Sequence, residues 1–274
     1  MKAIETLLQR MPPLLPGHVW LAGAGPGDPA LLTLGALAGL DQAEVVVHDA
    51  LVDPRILALA RPEARRVFAG KRGGRPSADQ ADISAQLIRL ARQGARVLRL
   101  KGGDPYVFGR GAEEVLALAE QGIPFRVIPG VTSGLAGLTM ALIPATARGV
   151  NKAIVFATGH GADDSGTDGL DWAAIARLGQ PVVLYMAVAR IASIARSLRA
   201  GGMSGDTDAA IIASATLPEQ QVVVTTLADL AAGISQAGIG TPAIVVIGAI
   251  VRLRAQLLAL RPQLAQEALL WQAG

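Results

Sequence analysis

Short apolar runs alternate with helically spaced ones through the first half of the chain, and this alternation predicts the elements in turn. Val19–Ala24 predicts a strand, followed by a Gly/Pro loop and a helix-like stretch over Ala30–Leu40. Val45–His48 predicts a second strand, Pro54–Ala60 a helical segment and Val67–Ala69 a third strand. Asp79–Arg92 places Ile83, Leu87, Leu90 and Ala91 on one face, the spacing of an amphipathic helix. Val97–Leu100 and Phe125–Ile128 predict further strands, with a helix over Ala112–Gln121 between them. Such alternation implies a mainly parallel sheet covered on both faces.

Beyond Pro144 the pattern resumes with different spacing. Ala153–Thr158, Val182–Tyr185, Ala209–Ala213, Val222–Thr225 and Ala243–Ile250 predict strands, while Ile191–Arg199 and Leu227–Ala237 predict helices. Gly159–Gly169 reads as a loop, and a helix trails from Arg252. The fold class expected is α/β, with an N-terminal α/β domain over 17–144, a second over 145–254 and a helical tail over 255–274. The uncharged stretch Val127–Ala147 is long enough for a membrane span, but Pro129, Gly130, Gly134, Gly137 and Pro144 interrupt it. It predicts a buried loop and helix. Glu5 and the absence of an apolar secretory core near the N-terminus predict a cytoplasmic protein without membrane attachment.

Composition narrows the picture. Of 274 residues, 51% are hydrophobic, 17% charged and 3% aromatic, so the core must be built from Ala, Leu, Val and Ile. A disordered chain is excluded, because it would lack the apolar surface to bury. With no cysteine there are no disulfides, thiolate nucleophiles or iron–sulfur clusters. His18, His48 and His160 have no ligand spacing, so no metal is expected. The net charge of +3 is spread without a basic block, which argues against nucleic acid and for a cleft that takes a polyanionic small molecule.

Two Gly-Asp-Pro loops carry the candidate chemistry. The first, Gly23-Ala24-Gly25-Pro26-Gly27-Asp28-Pro29, follows a strand, and with Asp49 after the second strand it suggests a dinucleotide site. Its third glycine comes one position early, Pro26 and Pro29 remove backbone donors, and Asp28 puts a carboxylate where a pyrophosphate would rest. A tight turn alone would also explain these glycines. The second loop runs from Gly102 through Asp104 and Pro105 to Gly111. Both loops should lie on the carboxyl edge of the sheet, where ligands bind in open α/β folds. Small residues and acids there suit a cationic, amine-bearing ligand without phosphate, and S-adenosylmethionine fits.

The run VWLAGAGPGDPALLT at Val19–Thr33, RLKGGDPYVFGRG at Arg99–Gly111, PGVTS at Pro129–Ser133, Ile143-Pro144 and Tyr185-Met186 resemble the tetrapyrrole methyltransferase family over residues 17 to 254. AGKRGG at Ala69–Gly74, with Ser77 and Gln80, and HDALV at His48–Val52 are similar to its members that act on uroporphyrinogen III. The resemblance implies a homodimer with S-adenosylmethionine folded in a cleft between the two α/β domains. It implies transfer of two methyl groups to carbons 2 and 7 of uroporphyrinogen III, giving precorrin-2 and S-adenosylhomocysteine. Matched cofactor contacts are Pro26, Gly102, Gly103, Asp104, Val107, Thr132, Ser133 and Met186, with Ala215, Thr241 and Ala243 matching less closely. Without the resemblance, Met186 reads equally as a core methionine.

Carbon methylation needs a nucleophilic carbon in line with the sulfonium methyl, and a base for the proton the macrocycle loses. Asp49 is the candidate base, or else a turn or capping residue; Lys71 matches a family position for proton donation, or else is a solvated lysine beside Arg72. Arg72, Arg75, Arg110, Arg148 and Lys152 suit a substrate with eight carboxylates, Arg110 and Arg148 foremost, with Glu113 a partner for a pyrrole N–H. One departure stands out. The family's Tyr-Ala-Gly-Ile-Pro-Leu-Thr-His-Arg is here Met140-Ala141-Leu142-Ile143-Pro144-Ala145-Thr146-Ala147-Arg148, which replaces an aromatic, a glycine and a histidine. No fused domain for oxidation and iron insertion is expected. A methyltransferase acting later on precorrins and a non-catalytic tetrapyrrole-binding protein are the alternatives.

Overall fold

A computed structural model describes residues 2–70, 80–159 and 169–264. The chain divides into two units, Met1–Thr132 and Ser133–Gly274, each built on its own five-stranded sheet.

In the first unit the elements are α1 (Lys2–Gln9), β1 (Val19–Gly23), α2 (Leu34–Gln42), β2 (Val45–His48), α3 (Pro54–Leu57), β3 (Arg65–Phe68), α4 (Gln80–Arg92), β4 (Val97–Lys101), α5 (Gly111–Glu120) and β5 (Phe125–Ile128). The strands pair β3-β2-β4-β1-β5, all parallel, as the alternation of strands and helices predicts. Side chains alternate between the faces. Trp20, Ala22, Val46, Leu98 and Leu100 pack with Ala36, Leu40 and Ile56 of α2 and α3, while Val19, Leu21, Val45, Val47 and Val97 pack with Leu87 of α4 and Leu118 of α5. The helix-like stretch over Ala30–Leu40 resolves into a short 3₁₀ turn at Pro29–Leu31 and then α2, because Thr33 caps the helix by accepting the Ala36 N–H at 3.2 Å.

The order of strands creates a switch point. The chain leaves neighbouring strands β1 and β4 toward α2 and α5 on opposite faces of the sheet, so a crevice opens beyond their carboxyl ends. Both Gly-Asp-Pro loops start there.

The second unit comprises α6 (Ser133–Met140), β6 (Val155–Thr158), α7 (Trp172–Arg177), β7 (Val182–Tyr185), α8 (Ile191–Ala200), β8 (Asp208–Ala213), β9 (Gln221–Thr226), α9 (Leu230–Gln236), β10 (Ala243–Ile247) and α10 (Arg252–Leu260). Its strand order is β6-β7-β10-β8-β9. Only β6 and β7 run parallel; β10 is inserted antiparallel between β7 and β8, and β9 is antiparallel to β8. Trp172, Ile194, Leu198 and Leu230 cover one face of this sheet. Helix α6 packs against β7 and β10, so it belongs to the second unit, and the division falls before it rather than at Pro144.

Helix α6 ends in a left-handed turn. Leu142 N–H donates to the Thr139 carbonyl and Ile143 N–H to that of Leu138, and Leu142 has φ 58°. The family places glycine there. The turn is therefore kept in spite of the leucine, at a strain of about 1–2 kcal/mol. Among the described residues no helix is long and apolar enough to cross a membrane. The predicted loop Gly159–Gly169 and the end of the tail lie largely outside the described residues.

Candidate active site

Glycines let three loops of the first unit converge. Gly25 and Gly103 exchange backbone hydrogen bonds of 3.1 and 2.7 Å, and Ala24 N–H donates to the Lys101 carbonyl at 2.7 Å, which prolongs the pairing of β1 with β4 into their loops. A methyl group on Gly23 would lie 2.5 Å from the Gly103 oxygen and 2.6 Å from Gly130, and one on Gly130 would strike the same oxygen. Only glycine fits at this junction. Gly102 in turn lies against Leu51, from the loop after β2. The result is a backbone-lined edge of the kind an adenosine or amino-acid moiety can approach closely.

The two Gly-Asp-Pro carboxylates serve this backbone. Asp28 accepts the Ala30 N–H at 2.8 Å. Asp104 accepts the Tyr106 N–H at 2.8 Å through one oxygen and the Gly130 N–H at 3.0 Å through the other, tying the loop after β4 to the loop after β5. The second loop is also strained: Phe108 and Arg110 have φ of 54° and 57°. Pro26, Val107 and Thr132 complete the expected cofactor contacts of this unit. Pro26 and Val107 are half-buried, and Thr132 is buried.

Asp49 stands at the end of β2. Its Oδ1 accepts the Leu51 N–H at 3.1 Å, its Oδ2 lies 3.8 Å from Arg99 Nη2, and 24% of its side chain is exposed. It is thus both the turn residue and an accessible carboxylate at the edge. Lys71, Arg72, Arg75 and His160 lie outside the described residues.

Sequence reasoning missed a charged cluster beneath this edge. Arg99 and Lys101 are 2% and 4% exposed and Glu114 is fully buried. One Glu114 oxygen accepts from Arg99 Nε at 3.2 Å, Lys101 Nζ at 2.9 Å and Gln80 Nε2 at 2.8 Å. Burial pushes the Lys101 ammonium below its ordinary value, the Arg99 charge adds to this, and Glu114 and Asp49 oppose it. The signal was present: in the central strand Val97–Lys101, positions 99 and 101 share a face that must be buried.

The expected substrate ligands are placed as follows. Arg110 and Glu113 form a two-pronged ion pair of 2.9 and 2.7 Å, both half exposed, on a groove of about 460 Å³ between α4 and α5. The Arg110 hydrogen bond holds the Glu113 carboxyl below the usual range. Arg148 is exposed on a loop of the second unit that buried Asn151 closes, through bonds of 2.8, 3.0 and 2.9 Å to Ala147, Ala145 and Ala153.

In the second unit Met186 follows β7 with φ 52° and is 51% exposed, a conformation that side chains adopt at a cost and that clusters at functional sites. It is not a core methionine. Beside it, the Tyr185 hydroxyl accepts the N–H of Gly134, one residue after Ser133, where any side chain would collide with the ring. Ala215 lies next to strained Ser214 and Thr216, and Gly137 packs against it. Thr241 lines a concavity of about 190 Å³ with Ser214 and Gly240, and Ala243 pairs with Ala213.

Comparison with known proteins places the chain in a family. The family of Tetrapyrrole (Corrin/Porphyrin) Methylases matches residues 18–231. A uroporphyrinogen-III C-methyltransferase of Sinorhizobium sp is 53% identical over 254 residues, covering 93% of this chain and 91% of the relative. A siroheme synthase of Gluconacetobacter diazotrophicus is 46% identical over 238 residues, 87% of this chain, which spans 50% of that relative's length. The crystal structure of uroporphyrin-III C-methyl transferase from Thermus thermophilus, complexed with S-adenyl homocysteine, has TM-score 0.74 at 38% identity and covers 86% of this chain and 99% of its own. The chain belongs to the tetrapyrrole (corrin/porphyrin) methylase family.

Proposed function

We propose that this chain catalyses the S-adenosylmethionine-dependent C-methylation of uroporphyrinogen III at carbons 2 and 7, giving precorrin-2 and two molecules of S-adenosylhomocysteine. The observation that carries the reading is Asp49, an accessible carboxylate at the rim of an edge that glycines keep clear of side chains, in a chain 53% identical to a uroporphyrinogen-III C-methyltransferase. At this edge, where glycines let backbone come close, Pro26, Gly102, Gly103, Asp104, Val107 and Thr132 are the donor contacts of the reading, and the family resemblance adds Ser133, Met186, Ala215, Thr241 and Ala243. The donor supplies a methyl group carried as a sulfonium, ready for attack by an electron-rich carbon.

A pyrrole carbon provides the electron pair of the new carbon–carbon bond, and the old carbon–sulfur bond breaks with its pair going to sulfur. The macrocycle, left cationic, gives up a proton. Asp49 accepts it, its Oδ1 held by the Leu51 N–H and its Oδ2 lying 3.8 Å from Arg99 Nη2. Lys71 takes the proton-donating role that the family resemblance assigns. Arg72, Arg110 and Arg148 bind substrate carboxylates. An exposed ion pair such as Arg110–Glu113 is worth only ~0–1 kcal/mol, so a substrate carboxylate can displace Glu113 and free it for a pyrrole N–H.

On this reading the protein is a homodimer, as the family resemblance implies, and acts in the cytoplasm without nucleic-acid or metal partners, as its composition leads one to expect; its product feeds siroheme, cobalamin or d-type haem. Incubation with uroporphyrinogen III and S-adenosylmethionine, read by mass spectrometry, is expected to yield dimethylated tetrapyrrole. Methylation of later precorrins alone would make it a later-acting enzyme. Tight binding of NAD with none of S-adenosylhomocysteine would restore the dinucleotide reading of the first glycine loop.

A further inference from the structure

Arg99 occupies the centre of a parallel sheet, a place for apolar side chains, and is almost completely buried. Its guanidinium is fixed at several points. Nε donates to Glu114 at 3.2 Å, and Nη1 donates to the carbonyls of Val47 at 3.4 Å and Leu100 at 3.1 Å. What remains is Nη2, which lies 3.8 Å from Asp49 Oδ2, within ion-pair distance and beyond a hydrogen bond. Glu114 itself is held in place by Lys101 and Gln80. Burying such a pair costs several kcal/mol per ion before its attraction is counted, and a leucine would fill the site without that penalty. The pair adds one thing a leucine cannot: a rigid cation beneath the single partly exposed carboxylate of the cluster.

We propose that Arg99, anchored by Glu114, is a positioning residue that fixes the direction of the Asp49 carboxylate toward the substrate. The inference rests on Asp49 being the proton acceptor. The geometry is specific to a planar fork: Nε and Nη1 are spent on Glu114 and the backbone, and only a guanidinium has a further nitrogen to offer Asp49. A lysine at position 99 would keep the charge but could not make both sets of contacts. Glutamine at 114 would keep the shape but weaken the anchor, because its neutral oxygen replaces a carboxylate.

The test compares Arg99→Lys and Glu114→Gln in the full chain, each alone and combined with Asp49→Asn. With saturating uroporphyrinogen III and S-adenosylmethionine, Arg99→Lys is expected to lower kcat about tenfold to a hundredfold, since small misplacements of a reacting group have effects of this size. The KM for uroporphyrinogen III and the calorimetric Kd for S-adenosylhomocysteine should stay within about twofold of the parent, the pattern of an interaction that matters only in the transition state. In the Asp49→Asn background neither change should lower kcat further. Equal losses in both backgrounds would make Arg99 a purely structural residue and overturn the proposal. Full kcat in Arg99→Lys and Glu114→Gln, with Asp49→Asn impaired, would overturn it while leaving the base assignment intact. Full kcat in Asp49→Asn would remove both. Should Arg99→Lys not fold, as judged by circular dichroism, the same comparison rests on Glu114→Gln.

Discussion

The Asp104 carboxylate accepts the N–H of Gly130 at 3.0 Å and so joins two loops that leave the sheet on either side of β1. With its other oxygen on Tyr106, this acid shapes the edge before any ligand arrives. Asp104→Ala is therefore expected to destabilise the free protein by about 1–3 kcal/mol in urea denaturation, as two backbone donors lose an ionised acceptor. The affinity for S-adenosylhomocysteine should fall with it. Unchanged stability alongside lost affinity would mean that Asp104 acts on the ligand alone.

Met186 separates stability from function. Its left-handed backbone is strained, and its side chain is half exposed. Met186→Gly should raise the stability of the free protein by about 1 kcal/mol through relief of that strain. S-adenosylhomocysteine should bind more weakly in calorimetry if Met186 makes the donor contact proposed for it. Loss of stability would show that the methionine is held by packing.

Lys101 gives a pH dependence of known sign. Its native value lies below 10.5, the unfolded one, through burial first and the Arg99 charge second. Between the two values the unfolded chain binds more protons, so stability rises with pH there, and the penalty for charging the buried amine is fully present below the native value. Urea titrations from neutral pH up to 10.5 should show this rise in the parent and not in Lys101→Met. Parallel curves would contradict it.

The first unit was legible because β1 and β2 are continuous apolar runs and α4 carries clean periodicity; α4 starts one residue from its predicted position. The antiparallel insertion of β10 was not, since pairing order is decided by contacts remote in sequence. Helix α7 escaped notice because six residues rich in alanine carry little periodicity, and its core contribution rests on Trp172 and Ala176. In the site, the glycine loops and Asp49 were read from motifs. Arg99, Lys101 and Glu114 were not, because their charges pointed to solvent and only the sheet showed that they are buried together. Asn151 was hidden in the same way: its value lies in closing the loop that carries Arg148, which no spacing announces.

The most direct measurement of the central claim uses S-adenosylmethionine labelled in its methyl group, with uroporphyrinogen III under reducing, oxygen-free conditions and NMR of the product. The account predicts two labelled methyl groups on saturated ring carbons, at positions 2 and 7, and two S-adenosylhomocysteine molecules per tetrapyrrole. A protein that binds S-adenosylhomocysteine yet leaves uroporphyrinogen III unlabelled would contradict it.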